Sequence, residues 1–409
     1  MTDAGRSPSS TRPGIAGRLA LDGGEPVRRT LLPYAHQQID DADVEAVAAA
    51  LRSDWLTTGP RVPAFEEALC AVTGARHAVA YSSGTAALHG ATLAAGLGPG
   101  DEAVTTPMTF AATANAVLYV NAEVRFADIR PDSLLIDPDL IAAQMTERTK
   151  AILPVDYSGQ PADYDAIRAI ADAAPGGRPL IIADAAHSLG ATLNRRPVGT
   201  LADMTVLSLH PAKIVTTGEG GAVLTDDDEL AARLRRFRNH GISSELRART
   251  DWTYAMVDLG FNYRLTDIGA ALGSSQVDKL EGFLATRRRL AAHYLERLAG
   301  HELLDVPVVD PGADSAWHFM FVQLRLDRLT VDRGGVYHAL RAEGIGVNVH
   351  YIPVHEHPYY RQRYPGLSLP VAEKAYRRLL TLPLHAGMSE ADVDDVVAAL
   401  DKVTAAYRA

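Results

Sequence analysis

HAVAYSSGTAALHGATLAAGLGPGDEAVTT, residues 77–106, is the stretch on which the fold turns. HAVAY (77–81) is a short β run with a β-branched centre, and Ser82-Ser83-Gly84 breaks it. From Gly84 the Ala- and Leu-rich segment favours a helix, which the glycines and proline of 96–100 stop before EAVTT (102–106). A strand, a helix and a second strand at this spacing predict a crossover between parallel strands. The unit then recurs. A helical stretch from about Phe110 leads to EVRFAD (123–128), a helix near Pro138 to AILPV (151–155), and a helix near Asp163 to LIIAD (180–184). TVLSL (205–209) and GAVLT (221–225) add strands to the same sheet. The expectation is an α/β fold, a mainly parallel mixed sheet with helices on both faces.

Upstream, DDADVEAVAAALR (40–52) sets Val44, Val47, Ala50 and Leu51 on one helical face behind acidic capping residues. A turn at Thr58-Gly59-Pro60 precedes a second helix over about Pro63 to Val72. Residues 1–30 are rich in Gly, Pro, Ser and Arg and read as a flexible tail; they lack the apolar run of a secretion signal. Downstream, a helix is expected over Asp228 to Arg238 and a long helical region from about Thr266 to Leu298, whose TRRRL run reads as a solvated face. Beyond His301 come separate strands (HFMFVQLRL, 318–326; GVNVHY, 346–351) and helices (334–343, 370–380, 389–407), the pattern of a smaller α+β domain. The expected division is a tail over 1–30, a large domain over 31–285 and a small domain over 286–409.

The composition narrows the partners. The 409 residues carry 40 Lys+Arg against 50 Asp+Glu, a formal net charge of −10, with 47% hydrophobic and 22% charged residues. This is an ordinary globular mix, and the acidic balance without a basic block argues against nucleic acid and anionic membrane as partners. No stretch approaches the ~18 to 20 apolar residues of a membrane-spanning helix. One cysteine, Cys70, excludes an intrachain disulfide framework and a thiolate-rich metal site, and a cytoplasmic protein is expected.

Four segments carry chemistry, and in an open α/β sheet all fall near the carboxyl ends of strands. Ser82-Ser83-Gly84-Thr85 opens a helix, where N–H groups and a hydroxyl can hold an anion; simple N-capping is the alternative. Asp184 ends a fully apolar strand, where a carboxylate is costly unless it meets a cation or caps the next turn. His187 follows three residues later. Ser208-Leu-His-Pro-Ala-Lys213 sets a lysine among small and apolar residues, suited to a lowered pKa and Schiff-base chemistry, and the Gly218–Gly221 turn can aim Glu219 inward. The fourth is the polar run Asn262-Tyr263-Arg264 before the long helix. Gly96-Leu-Gly98-Pro-Gly100 precedes its strand and so is no dinucleotide fingerprint. His355-Glu-His357 reads as a loop rather than a metal site. A phosphate cup, a strand-end carboxylate and an amine, in that order, match what pyridoxal phosphate requires.

At this level the chain resembles the DegT-type sugar aminotransferases, pyridoxal-phosphate enzymes of the aspartate-aminotransferase class (fold type I). The segments that carry the likeness are LTTGPRVPAFEEAL (56–69), SSGTAALHG…TFAATANAV (82–117), ILPVDYSGQPADYDAI (152–167), ADAAHSLGA (183–191), SLHPAKIVTTGEGGAVLTDD (208–227) and GFNYRLTDIGAALG (260–273). The resemblance implies Lys213 as the Schiff-base lysine, Asp184 at the pyridinium nitrogen and His187 near the phenolic oxygen. It implies Gly84, Thr85, Ala86 and Ser208 around the phosphate and Phe110 on the ring face. Asn262 would reach the neighbouring subunit's cofactor, so the implied unit is a homodimer with shared sites. Leu209 departs from the aromatic that relatives often carry there.

The resemblance further implies transfer of the amino group of L-glutamate to a keto carbon of a nucleotide-diphosphate-linked deoxysugar. The cofactor would alternate between pyridoxal and pyridoxamine phosphate. Lysine at 213, where sugar-dehydrating relatives carry histidine, favours transamination. The likeness is strongest to enzymes that aminate C4, including those of the pseudaminic-acid and aminoarabinose routes, through GVNVHYIPVHEHPYYRQRYPGLSLPVAE (346–373) among other segments. Glu219, His350 and Tyr351 would face substrate. C3 amination, an inosose aminotransferase, a dehydratase and a non-catalytic cofactor-binding protein are the alternatives left open.

Overall fold

A computed structural model describes residues 17–243 and 252–409. Seven strands form the central sheet in the order His77–Tyr81, Gly221–Thr225, Met204–Ser208, Leu180–Asp184, Thr149–Leu153, Glu102–Thr105, Glu123–Phe126. Gly221–Thr225 is antiparallel to both neighbours, and the other pairings are parallel. Its neighbours are only a short connection away on one side, so no crossover helix intervenes. The central strands are buried along their length, which is why they read as apolar runs without alternation.

Helices cover both faces, giving two separate apolar layers. Gly84–Ala94 and Ala112–Tyr119 lie with Val79, Phe126 and Val206, whereas Arg61–Thr73 and Asp267–Asp278 lie with Ala78, Ile152 and Leu207. A third core gathers the helices Leu280–Leu298, Arg333–Ala342 and Glu390–Ala406 over a three-stranded sheet ordered Leu304–Asp305, Met320–Leu324, Leu379–Leu382. No described helix is long and apolar enough to cross a membrane.

Several expectations need correction. Residues 1–16 of the expected tail lie outside the described residues, but 17–30 are held to the third core rather than loose. Leu19 is buried, Arg28 meets Asp392 and Asp395, and buried Glu343 accepts from the N–H groups of Ala20 and Val27 while pairing with Lys402 at 2.8 Å. The carboxylate partners lie more than 300 residues downstream, beyond any local signal. The long helical region is two helices, Asp267–Asp278 and Leu280–Leu298, separated at Lys279, whose ammonium is tied to Asp40 and Asp43.

The TRRRL run is not wholly solvated. Arg287 is only 2% exposed, and its Nη1 reaches the carbonyls of Trp317, His318 and Leu384 at 2.8–3.2 Å. GVNVHY forms no extended strand; Asn348 alone bridges Thr381 before the chain turns toward the sheet. On the helix Asp41–Leu51 the capping box at Asp40 is present, yet Val44 and Leu51 stay exposed, because only Ala50 and Asp43 of that helix face inward.

Candidate active site

The strand ends converge on one cavity of about 430 Å³. At one end the helix Gly84–Ala94 begins. Ser83 takes the N-cap, accepting from Ala86 N at 3.1 Å, as the capping reading of this segment expects. The first-turn N–H groups of Gly84 and Thr85 have no such acceptor, and both residues line the cavity. Ala86 is buried behind them. Close approach requires glycine at 221 and leaves little space for a Cβ at 84. A Cβ on Gly84 would fall 3.0 Å from Ser208 Cβ, and one on Gly221 would fall 2.6 Å from the carbonyl oxygen of Ser83. These contacts bring Ser208, at the end of Met204–Ser208, against the helix start. The result is a cup of N–H donors and hydroxyls at the positive end of a helix.

Asp184 closes the neighbouring strand, 6% exposed. Its Oδ2 accepts from Thr113 Oγ1 at 2.6 Å and its Oδ1 from Ala186 N at 3.2 Å. Burial raises the pKa of this carboxyl, and Thr113, Ala186 and the nearby Lys213 oppose the rise. Behind it, Asp156 is fully buried with Ser188, Tyr164 and the Ala162 N–H as donors; burial pushes its pKa up to about 7.

Lys213 lines the same cavity, and burial lowers its amine to about 8 against the pull of Asp184. An amine with that pKa can both hold and release a proton near neutrality. Phe110 stands on the cavity wall, 61% exposed, with its ring 6.1 Å from that of Tyr351. His187 Nε2 lies 3.0 Å from Tyr351 Oη, and its buried Nδ1 has no partner. His350 Nδ1 meets Thr381 Oγ1 at 2.9 Å, its carbonyl accepts from Tyr157, and burial beside Lys213 lowers its pKa to about 3. Glu219 is on the rim, exposed.

The cavity therefore brings together Gly84, Thr85, Phe110, Asp184, His187, Ser208, Lys213, Glu219, His350 and Tyr351. Asn262 is not among its lining residues. It is exposed, bridges Asn239, and follows a run in which Trp252, Tyr254, Met256, Val257, Leu259 and Phe261 are exposed. Sequence reasoning missed Tyr34, Thr109, Thr113, His210 and His318. Thr113 is one turn from Phe110 and His210 lies inside the lysine segment, so both were within reach. Tyr34 and His318 come from distant chain segments with no local signal. His355 of the declined metal cluster is buried, 3.2 Å from Glu373.

An anion cup, a buried carboxylate, a lysine with a lowered pKa and an aromatic wall can hold a phosphorylated, protonatable ring and move protons beside it. Comparison with known proteins agrees. Residues 37–401 match the model of the DegT/DnrJ/EryC1/StrS aminotransferase family. The spore coat polysaccharide biosynthesis protein SpsC of Bacillus subtilis is 39% identical over 91% of this chain and 97% of its own length. Among solved structures, Spr1654 of Streptococcus pneumoniae in its PLP form superposes with a TM-score of 0.86 at 29% identity, covering 92% of this chain and 99% of that one. PseC of Helicobacter pylori, an aminotransferase involved in pseudaminic acid biosynthesis, gives 0.86 at 30%, covering 92% and 100%. DesI, solved in the presence of its TDP-sugar product, gives 0.84 at 34%, covering 94% and 95%.

Proposed function

Because the chain belongs to the DegT/DnrJ/EryC1/StrS aminotransferase family, we propose that it moves the amino group of L-glutamate to C4 of a nucleotide-diphosphate-linked keto-deoxysugar. It is a pyridoxal-phosphate-dependent sugar aminotransferase. The observation that carries amino transfer at this site is that Lys213, Asp184 and the Gly84–Thr85 helix start line one cavity.

The residues fit the cofactor. Two first-turn N–H groups with Thr85 and Ser208 suit a phosphate, and glycine at 84 lets Ser208 close on the helix start. Asp184 suits a protonated ring nitrogen, since a cation there would offset the cost of burying its charge. The orphaned Nδ1 of His187 marks a polar group with capacity to spare. Pyridoxal phosphate, when bound, supplies an aldehyde for an amine and a ring that withdraws electrons from the carbon bearing nitrogen.

The chain's own groups do the rest. Gly84, Thr85, Ala86 and Ser208 would secure the phosphate end, and Phe110 would cover the ring face. Asp184 would keep the ring nitrogen protonated, and His187 would orient the phenolic oxygen. Lys213 Nζ removes the proton from Cα of glutamate in one half-reaction and delivers one to the sugar carbon in the other. A pKa of about 8 suits both duties. His350, Tyr351 and Glu219 supply polar groups to orient sugar hydroxyls. The likeness to DesI, solved in the presence of its TDP-sugar product, supports a sugar nucleotide; C4 as the acceptor rests on the resemblance carried by residues 346–373 among other segments.

Asn262 acts on the cofactor of a second copy in a homodimer. The support is its exposure outside its own cavity, at the end of an exposed apolar run that a second copy would cover. The large and small domains form the two walls of the cleft, the boundary expected between 285 and 286 falling inside the helix Leu280–Leu298, and the enzyme works in the cytoplasm, in keeping with its single cysteine.

Borohydride reduction of the PLP-loaded protein, followed by peptide mapping, tests the central role. The adduct should be found on Lys213, and Lys213→Ala should bind PLP without forming it. An adduct on another lysine would remove Lys213 from its role.

A further inference from the structure

Two imidazoles from distant segments meet in the cavity wall. The rings of His187 and His318 stack with centroids 4.4 Å apart and planes at 26°. Phe319 closes a second side of His187, its ring 5.3 Å away at 71°, and the Tyr351 hydroxyl meets Nε2. His187 is thus boxed by a face, an edge and a hydrogen bond.

The backbone that presents His318 is held with unusual redundancy. Its N–H donates to the Ser158 carbonyl at 2.8 Å, and its own carbonyl accepts from Arg287 at 2.9 Å. Gly159, at φ +106°, approaches so closely that a Cβ would fall 2.7 Å from Trp317 N and 2.9 Å from His318 N. Trp317 itself has φ +49°, a conformation that L-residues rarely adopt and that persists only where surroundings over-determine it. Strain of this kind gathers at functional sites. Simple core filling would need neither the strained residue nor a polar ring.

The structure assigns His318 to the site as the positioning residue for His187: its ring is the platform that fixes the plane in which His187 meets the cofactor's phenolic oxygen. This rests on the role proposed above for His187. Charge is not what the stack transmits. Burial, reinforced by the charge of Lys213 and by His350 on both rings and by Arg287 on His318, holds both imidazoles well below the usual range, so neither is charged at neutral pH. Orientation is what remains, and a small misplacement of a group at a reacting centre is costly.

The test compares PLP-loaded wild type with His318→Ala, His318→Asn and His318→Phe. Phenylalanine keeps a flat ring without nitrogens; alanine and asparagine remove the platform, and asparagine keeps most of the volume and polarity should alanine fail to fold. The readouts are the pH titration of the cofactor's visible band, and kcat and KM for the half-reaction with L-glutamate. His318→Ala and His318→Asn should move the titration midpoint by about half a pH unit or more. They should lower kcat about tenfold with KM changed less than about twofold. His318→Phe should return the midpoint to the wild-type value and kcat to within about threefold. Equal losses in all three variants, or an unmoved midpoint in alanine and asparagine, would overturn the platform role while leaving the aminotransferase reading intact. A wild-type protein with no cofactor band would defeat that reading and this inference with it.

Discussion

Thr113 Oγ1 lies 2.6 Å from Asp184 Oδ2, and because a carboxylate only accepts, the hydroxyl must be donating its proton to it. Thr109 Oγ1, 2.7 Å from Thr113 Oγ1, can then donate in turn, so two threonine hydroxyls line up toward a buried charge. Burial alone would neutralise Asp184, and this chain is one of the features that opposes it. The ability of the site to hold a protonated ring nitrogen depends on that opposition.

Thr113→Val should therefore push the Asp184 carboxyl further up and weaken the site. A hydrogen bond to a charged group contributes about 1.5–3 kcal/mol, so kcat should fall about ten- to a hundredfold. Thr113→Ser should recover most of it. Steady-state kinetics on the three proteins decides; a valine variant with wild-type kcat would show the bond to be dispensable.

Asp156 gives a pH signature. Its pKa is about 7 in the folded chain against a reference of 3.8, so between those values the native state keeps a proton that the unfolded chain has released. Its contribution to stability is complete below about pH 3.8 and is lost as pH rises toward 7. Asp156→Asn cannot titrate. Relative to wild type, the asparagine variant should gain stability as pH rises from about 4 to 7, by up to about 4 kcal/mol. Urea unfolding of both apoproteins across that range is the check, and a constant difference would contradict it.

Arg287→Met should be strongly destabilising. It leaves the carbonyls of Trp317, His318 and Leu384 without the guanidinium that reaches all three. Each buried carbonyl left without a donor costs about 1–3 kcal/mol. Burial lowers the guanidinium only to about 10, so it remains charged at neutral pH. Thermal unfolding of the variant should show a loss well beyond that of Arg289→Met, a change at an exposed neighbour of the same run.

Mixed dimers test the shared site. Lys213→Ala and Asn262→Ala chains should each be poorly active alone. In a heterodimer one site carries both defects and the other neither, so up to about half the activity per dimer should return. Proven heterodimers without recovery would confine Asn262 to its own chain.

The fold and the heart of the cavity were legible because their signals are local. A strand, a small-residue break and a helix start occupy consecutive positions at Ser82–Thr85, and strand-end residues such as Asp184 and Ser208 are pointed by the topology to one edge. What stayed hidden depends on long-range partners. Arg287 looks solvated beside two other arginines until three carbonyls from remote segments close on it. His318 lies inside an apolar run that announces only a strand. Leu19 and Arg28 read as tail because their partners come from the far end of the chain. GVNVHY alternates like a strand, yet after Asn348 its residues leave the sheet, and His350 and Tyr351 line the cavity instead. Val44 and Leu51 show the converse: periodicity reveals an apolar face, but not what covers it.

Isotope transfer reads amino transfer to C4 of a sugar nucleotide directly. The PLP-loaded enzyme is incubated with [15N]glutamate and a nucleotide-linked 4-keto-6-deoxyhexose, and the products are read by mass spectrometry and NMR. The expected products are 2-oxoglutarate and a sugar nucleotide carrying one 15N on C4, formed in equal amounts. Label confined to glutamate across a panel of ketosugars, or delivered to C3 of a 3-keto isomer while the 4-keto sugar is left untouched, would contradict transfer to C4.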